Sequence, residues 1–187
     1  IETLCVSQIG GDVIGFYGDE PVAGENLKSI SLPNTISVIG GGAFKNCKNL
    51  ERVDITSDYL DILGNEAFMN CTSLKSIFIP KLGNDEYHYH MESRFSGCTN
   101  LSEVVLSEGV TSIGSYDFYN CPNLKYITIP ESITFIAPYA FDSGIGINIT
   151  NVKNWLNIDK LIISNGVIPI GFVYDLYLDG SFANTLR

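Results

Sequence analysis

Stretches of four residues in which apolar and outward-facing positions alternate recur along the chain: Ser29-Ile30-Ser31-Leu32, Arg52-Val53-Asp54-Ile55, Ser76-Ile77-Phe78-Ile79, Glu103-Val104-Val105-Leu106 and Tyr126-Ile127-Thr128-Ile129. A period of two predicts a short strand with one buried face. Pro33, Pro80 and Pro130 close three of these strands, because proline has no amide hydrogen to give a ladder. The return stretches place apolar residues three apart, as in Ile36 and Ile39 or Ile133 and Ile136. They predict a tight turn or a single helical turn, too short to stand as a free helix.

The return stretches are themselves in phase. Phe44, Phe68, Phe95, Phe118 and Phe141 lie 24, 27, 23 and 23 residues apart, and the first four are followed three positions later by Cys47, Cys71, Cys98 and Cys121. Leu50, Leu74, Leu101 and Leu124 then open the next unit. A period of 20 to 30 residues predicts a solenoid whose stacked units share one core. Strands would form a parallel sheet on one side, and the phenylalanines would line up inside. The third unit is longer than its neighbours by about four residues, and at Gly144 a cysteine is due but missing. We therefore expect one continuous domain in three parts. Residues 1–26 are a degenerate repeat or cap with a partial echo at Val13-Ile14-Gly15, 27–144 are regular repeats, and 145–187 are an irregular interruption or cap. The last part holds Trp155, Pro169 and a strand-like Leu176-Tyr177-Leu178 closed by the turn signal Asp179-Gly180.

Composition narrows the partners. Of 187 residues 45% are apolar and only 17% charged, below the roughly 25% usual for a soluble domain. Acids outnumber bases 21 to 11, for a net charge of -10. That balance disfavours nucleic acid and anionic membrane surfaces, both of which are held by basic side chains. No run approaches the ~18 to 20 apolar residues of a membrane-spanning helix. The sequence starts at Ile1 without a basic-then-apolar leader, the start expected of a processed or trimmed fragment, which leaves secretion open.

Candidate chemistry is sparse. Four of the five cysteines hold one repeat position and Cys5 lies outside the series. The spacing lacks a Cys-x-x-Cys pair, so the usual zinc signature is missing. Rungs about 4.8 Å apart fall within the Cα range of a disulfide, but side chains on stacked rungs run parallel rather than toward each other. Buried, reduced thiols packing as small apolar groups are the expectation. His88 and His90 sit in the third unit's insertion with Asp85, Glu86, Tyr87, Tyr89 and Glu92 close by. They are weak metal candidates, and a solvated polar loop accounts for them equally. The chain has no Gly-x-Ser-x-Gly elbow, phosphate loop or His-Glu-x-x-His, so neither catalytic residues nor a cofactor site is expected. Possible sequons at Asn70, Asn100 and Asn148 overlap apolar columns in the first two cases.

The outward strand positions form two columns, Ser29, Arg52, Ser76, Glu103, Tyr126 and Ser31, Asp54, Phe78, Val105, Thr128. Phe78, Val105 and Tyr126 would be neighbours on exposed sheet, with Arg52 and Glu103 beside them and Tyr87, Tyr89 and His88 on the adjoining loop. Aromatic anchors rimmed by polar groups mark interfaces; the competing account is that such residues simply favour strands.

The consensus Leu-x-x-Ile-x-(Ile/Leu)-Pro, Ile-Gly-x-x-Ala-Phe, Cys-x-x-Leu, followed closely from Leu27 to Phe141, resembles the leucine-rich repeats of BspA-type bacterial surface proteins. Departures are Thr56 and Ser107 for proline, Arg94 and Asp117 for alanine, the long third unit, and Gly144 for cysteine. The resemblance implies an α/β, right-handed leucine-rich repeat solenoid with a parallel sheet on its concave side and short turns or single-turn helices on its convex side. It also implies a secreted or surface-anchored protein of host-associated bacteria, in a family linked to adhesion and binding of host matrix proteins. The repeat consensus carries scaffold residues, so no ligand contact transfers with it. The expected function is a non-enzymatic extracellular recognition module for a host extracellular or matrix protein. A glycan-binding surface component, or a passive spacer holding another domain, are the alternatives.

Overall fold

The computed structural model describes residues 26–82, 92–142 and 145–149 together with the backbone of a few flanking strands. In chain order the strands are β1 (Thr3–Cys5), β2 (Val13–Ile14), β3 (Ser29–Leu32), β4 (Val38–Ile39), β5 (Arg52–Ile55) and β6 (Tyr59–Leu60). Then come β7 (Ile62–Leu63), β8 (Ser76–Ile79), β9 (Lys81–Leu82), β10 (Glu103–Leu106), β11 (Ser112–Ile113) and β12 (Tyr126–Ile129). The last are β13 (Phe135–Ile136), β14 (Gly146–Ile149), β15 (Asp159–Lys160), β16 (Asp175–Leu178) and β17 (Ser181–Phe182).

The five alternating stretches are strands, as the period of two predicts. They belong to a row of parallel ladders: β1–β3–β5, β8–β10, and β12–β14–β16. Register matches repeat phase, with Ile30 opposite Val53 and Val104 opposite Ile77. β17 pairs antiparallel with β16, Leu178 opposite Ser181; the predicted Asp179-Gly180 turn lies outside the described residues. A second row of two-residue strands stacks β2–β4–β7 and β11–β13–β15, and a separate pair, β6–β9, joins the second and third units. The architecture is a parallel-strand solenoid of stacked coils, and β14 and β16 carry its main ladder past position 144.

Inside, Phe44, Phe68, Phe95, Phe118 and Phe141 form one column. Successive ring centroids are 5.1, 5.5, 5.5 and 5.8 Å apart with planes within 14°. The rung spacing sets this offset face-to-face contact, and the rings are buried. The unit-opening leucines and the strand isoleucines fill the rest of the core.

Among the described residues the return segments are turns, and none is a helix. Alternate residues explain why. Gly42, Phe44 and Asn46 donate their N–H forward to Asn65, Ala67 and Met69 of the next unit, each at 2.8 Å, while Ala43, Lys45 and Cys47 donate three residues back within their own unit. The second and third units repeat the arrangement through Glu66, Phe68, Asn70 and Ser93, Phe95, Gly97. A helix would spend all these donors internally, whereas this alternation spends half on the neighbour. It requires left-handed backbone two residues either side of each phenylalanine. Gly42 and Asn46 have φ of 64° and 62°, Glu66 and Asn70 56° and 60°, and Tyr116 and Asn120 58° and 56°. Asparagine suits that well because its short polar side chain bonds locally.

Close approach fixes another position. A Cβ on Gly64 would lie 2.5 Å from the Gly41 nitrogen, so adjacent units meet there backbone to backbone and only glycine fits.

Two departures from the consensus extend the ladder. Thr56 and Ser107, in place of proline, donate their N–H to Leu32 and Ile79 of the unit before, a bond proline cannot make.

Candidate functional site

The outward face of the strand row is built by the pleat, which sends alternate side chains away from the core. Phe78, Val105 and Tyr126 are 39%, 45% and 58% exposed. Val105 registers directly with Phe78, and Glu103 with Ser76; Tyr126 holds the equivalent place on β12. The structure thus pairs Phe78 with Val105, while Tyr126 stands in the other outward column, that of Ser76 and Glu103. Arg52 and Asp54 lie on the same face, where the Arg52 Nε donates to Asp54 Oδ1 at 2.8 Å; the bond raises the Arg52 pKa above its ordinary value. Lys75 donates to Glu51 at 2.7 Å and through that hydrogen bond lowers the Glu51 carboxyl. Beyond the apolar patch the face turns polar again, with Asn148 donating to Thr128 at 3.3 Å. The result is an exposed apolar and aromatic stretch between polar margins.

The cysteine column is chemically quiet. Cys47, Cys71, Cys98 and Cys121 are reduced and buried. The thiols of Cys71 and Cys98 donate to the Phe44 and Phe68 carbonyls at 3.1 Å, and Cys121 donates to Phe95 at 3.3 Å. Each is thus a hydrogen-bonding link to the unit before as well as a small apolar filler. Burial pushes Cys47 up to about 11 and Cys121 up to about 12, and it raises Cys71 and Cys98 further. Burial thus disfavours the thiolate, the form in which cysteine acts as a nucleophile. We expect all four to resist iodoacetamide at pH 8 until the chain unfolds, with mass spectrometry as the readout. A thiol held above its unfolded value of about 9 stabilises the fold fully below that pH. This contribution is lost as pH rises toward 11 to 12, so the urea midpoint should fall across that window.

Arg94 and Asp117 hold the alanine position of consecutive units, and the structure pairs them. Both are buried. The Arg94 Nε donates to both Asp117 oxygens at 3.0 Å, and its Nη2 donates to Oδ2. Asp117 also accepts the backbone N–H of Arg94 at 3.0 Å and of Gly114 at 2.7 Å. In regular units the donor equivalent to Gly114 bonds the previous unit, as Gly64 does with Ile39 and Ala137 with Ile113. Next to the long third unit, the carboxylate takes over that acceptor role.

A third feature is absent from the expected site. Tyr116, Tyr119 and Tyr139 cluster on the turn row, the first and last rings stacked at 5.3 Å and 7°, and Tyr119 edge-on to Tyr116 at 5.7 Å. Their phase relative to Phe118 and Phe141 was the signal that could have found them.

His88, His90, Tyr87 and Tyr89 lie outside the described residues. Among the described residues no group of three His, Cys, Asp or Glu side chains is placed to hold a metal ion, and no helix is long and apolar enough to cross a membrane. The Asn70 side chain is engaged with Asn46 at 3.0 Å, and both Cys71 and Leu101 of the first two sequons are buried.

Stacked coils, a phenylalanine column and an exposed strand row define a leucine-rich repeat protein. The sequence model of the BspA type leucine rich repeat region matches residues 19–150 in 6 copies; the chain belongs to that family. Among solved structures it is similar to a leucine-rich repeat protein from Bacteroides ovatus ATCC 8483, at 24% identity and a TM-score of 0.57, over 81% of this chain and 43% of that one. It is also similar to a leucine rich cell surface protein from Faecalibacterium prausnitzii A2-165, at 26% identity and a TM-score of 0.51, over 84% of this chain and 35% of that one. The chain thus spans less than half the length of either. Comparison with curated proteins gives no match.

Proposed function

We propose that the chain is a non-enzymatic recognition module of a bacterial surface protein. It binds a host extracellular or matrix protein through the outward strand face, the concave side of a right-handed solenoid. In this reading residues 27–144 present the surface, while 1–26 and 145–187 cover or interrupt the stack. The observation that carries it is the registered apolar patch of Phe78 and Val105 with Tyr126 beside it. Core packing does not require these side chains, since they point away from the core. Family membership and likeness to a cell surface protein support an extracellular or cell-surface location.

The test is a binding screen of the chain against extracellular-matrix proteins and a glycan array. The double variant Phe78→Ser, Tyr126→Ser should weaken the captured protein at least tenfold, roughly 1.4 kcal/mol or more, because buried aromatic anchors dominate such interfaces. An unchanged affinity dismisses the patch. Glycan capture that survives high salt and falls in the tyrosine variant would favour the sugar-binding alternative, because charge-steered protein binding weakens with salt. No capture in either format would leave the spacer.

A further inference from the structure

The tyrosine cluster on the turn row is separate from the strand face and calls for its own explanation. Tyr116, Tyr119 and Tyr139 are 38%, 49% and 46% exposed, so burial of their rings does not account for them. Tyr116 and Tyr139 also sit at φ 58° and 59°, a region disfavoured for bulky side chains. The first three units fill the same position with Gly42, Glu66 and Ser93. The backbone there follows from the alternating donors of every unit, so what sets these two units apart is the aromatic ring placed on it.

The local charge indicates what the rings meet. Glu92 bridges to Ser115, the neighbour of Tyr116. Asp142 accepts the Cys121 N–H at 3.2 Å, two residues beyond Tyr119. Arg94 and Asp117 beneath them are buried against each other. Lys45, in the cluster's turn row, is three units away and tied to Glu66. Lys125 is bonded to the Pro122 carbonyl. Glu92 and Asp142 thus stand in the units stacked beside the cluster, on a chain of net charge -10. Ring quadrupoles and formal charges both favour a cation there. A planar guanidinium stacks on a tyrosine ring while its N–H groups reach a carboxylate, a combination an ammonium cannot match.

We propose that Tyr116, Tyr119 and Tyr139 form a second binding site that takes an arginine-bearing basic segment of a protein partner. The probe is a peptide of alternating arginine and glycine, with lysine–glycine and glutamate–glycine peptides as controls, titrated into the full chain at low salt. Tyrosine ring resonances and fluorescence are the readouts. The arginine peptide should move the three tyrosine resonances saturably and bind severalfold tighter than the lysine peptide. The double variant Tyr119→Ser, Tyr139→Ser should weaken it at least tenfold with an unchanged unfolding midpoint. Tyr139→Phe, which keeps the ring, should bind as the parent does. Equal binding of the two basic peptides, unaffected by the serine variant, would mean attraction by net charge alone and overturn the site. Absence of any saturable shift would overturn it as well.

Discussion

Replacing Asp117 by alanine is expected to destabilise the chain by about 3 to 5 kcal/mol, the usual effect of stranding one member of a buried ion pair. Asp117→Ala takes the bidentate carboxylate away from the buried Arg94 guanidinium, and it also removes the acceptor for the backbone N–H groups of Arg94 and Gly114. Arg94→Ala should cost less, because the carboxylate keeps both backbone donors. The diagnostic is the double variant. Adding Arg94→Ala to Asp117→Ala removes the buried cation and restores the consensus alanines, so it should recover more than about 1 kcal/mol, a coupling typical of residues in one network. Urea unfolding of the four proteins decides the matter. A double variant less stable than Asp117→Ala alone would show that the pair does not act as a unit.

Phe95→Ala should cost a similar ~3 to 5 kcal/mol, for a different reason. Phe95 is flanked on both sides, by Phe68 and by Phe118, each at 5.5 Å and nearly parallel. Truncation therefore empties one place in the column and ends two stacking contacts of roughly 0.5 to 1.5 kcal/mol each. In a solenoid the coupling between neighbouring units carries much of the stability, so the loss should appear as split cooperativity. Hydrogen exchange should report the first two units and the last two opening separately. Phe95→Leu keeps most of the volume and should cost only about 1 to 2 kcal/mol. Equal losses for the alanine and leucine variants would show that cavity volume is not what matters at this site.

Much of the fold was legible because a repeat displays each structural requirement several times. The alternation at Ile30 and Leu32, and again at Ile127 and Ile129, marked strands whose inner faces are buried. Phe44 to Phe141 lined up because equal spacing puts equal residues on one rung position. The outward placement of Phe78, Val105 and Tyr126 was legible for the same reason: once the inward residues are known, the pleat assigns the others. Less could be read where meaning depends on two departures at once. Arg94 and Asp117 each look like a lost alanine. Only stacking in register shows that one answers the other, and that the carboxylate accepts a backbone donor beside the long unit. The choice between turn and helical turn was open because apolar spacing of three suits both. It is decided by where alternate N–H groups find acceptors, which is a property of the neighbouring unit. The thiol bonds of Cys71 and Cys98 were hidden in the same way, since their acceptor carbonyls belong to residues 27 and 30 positions away.

The alternating donors of the turn row make the two ends of such a stack chemically unlike. From Gly42 to Phe118 the inter-unit N–H groups of this row point one way, toward the following unit, and meet carbonyls there. A row built in this manner presents acceptors at its leading end and donors at its trailing end. Two such rows can be joined head to tail with every bond made. A two-fold symmetric meeting of like ends would set donors against donors or acceptors against acceptors. Any end-to-end assembly through this row must therefore be heterologous, and left unclosed it grows as a filament rather than stopping at a dimer.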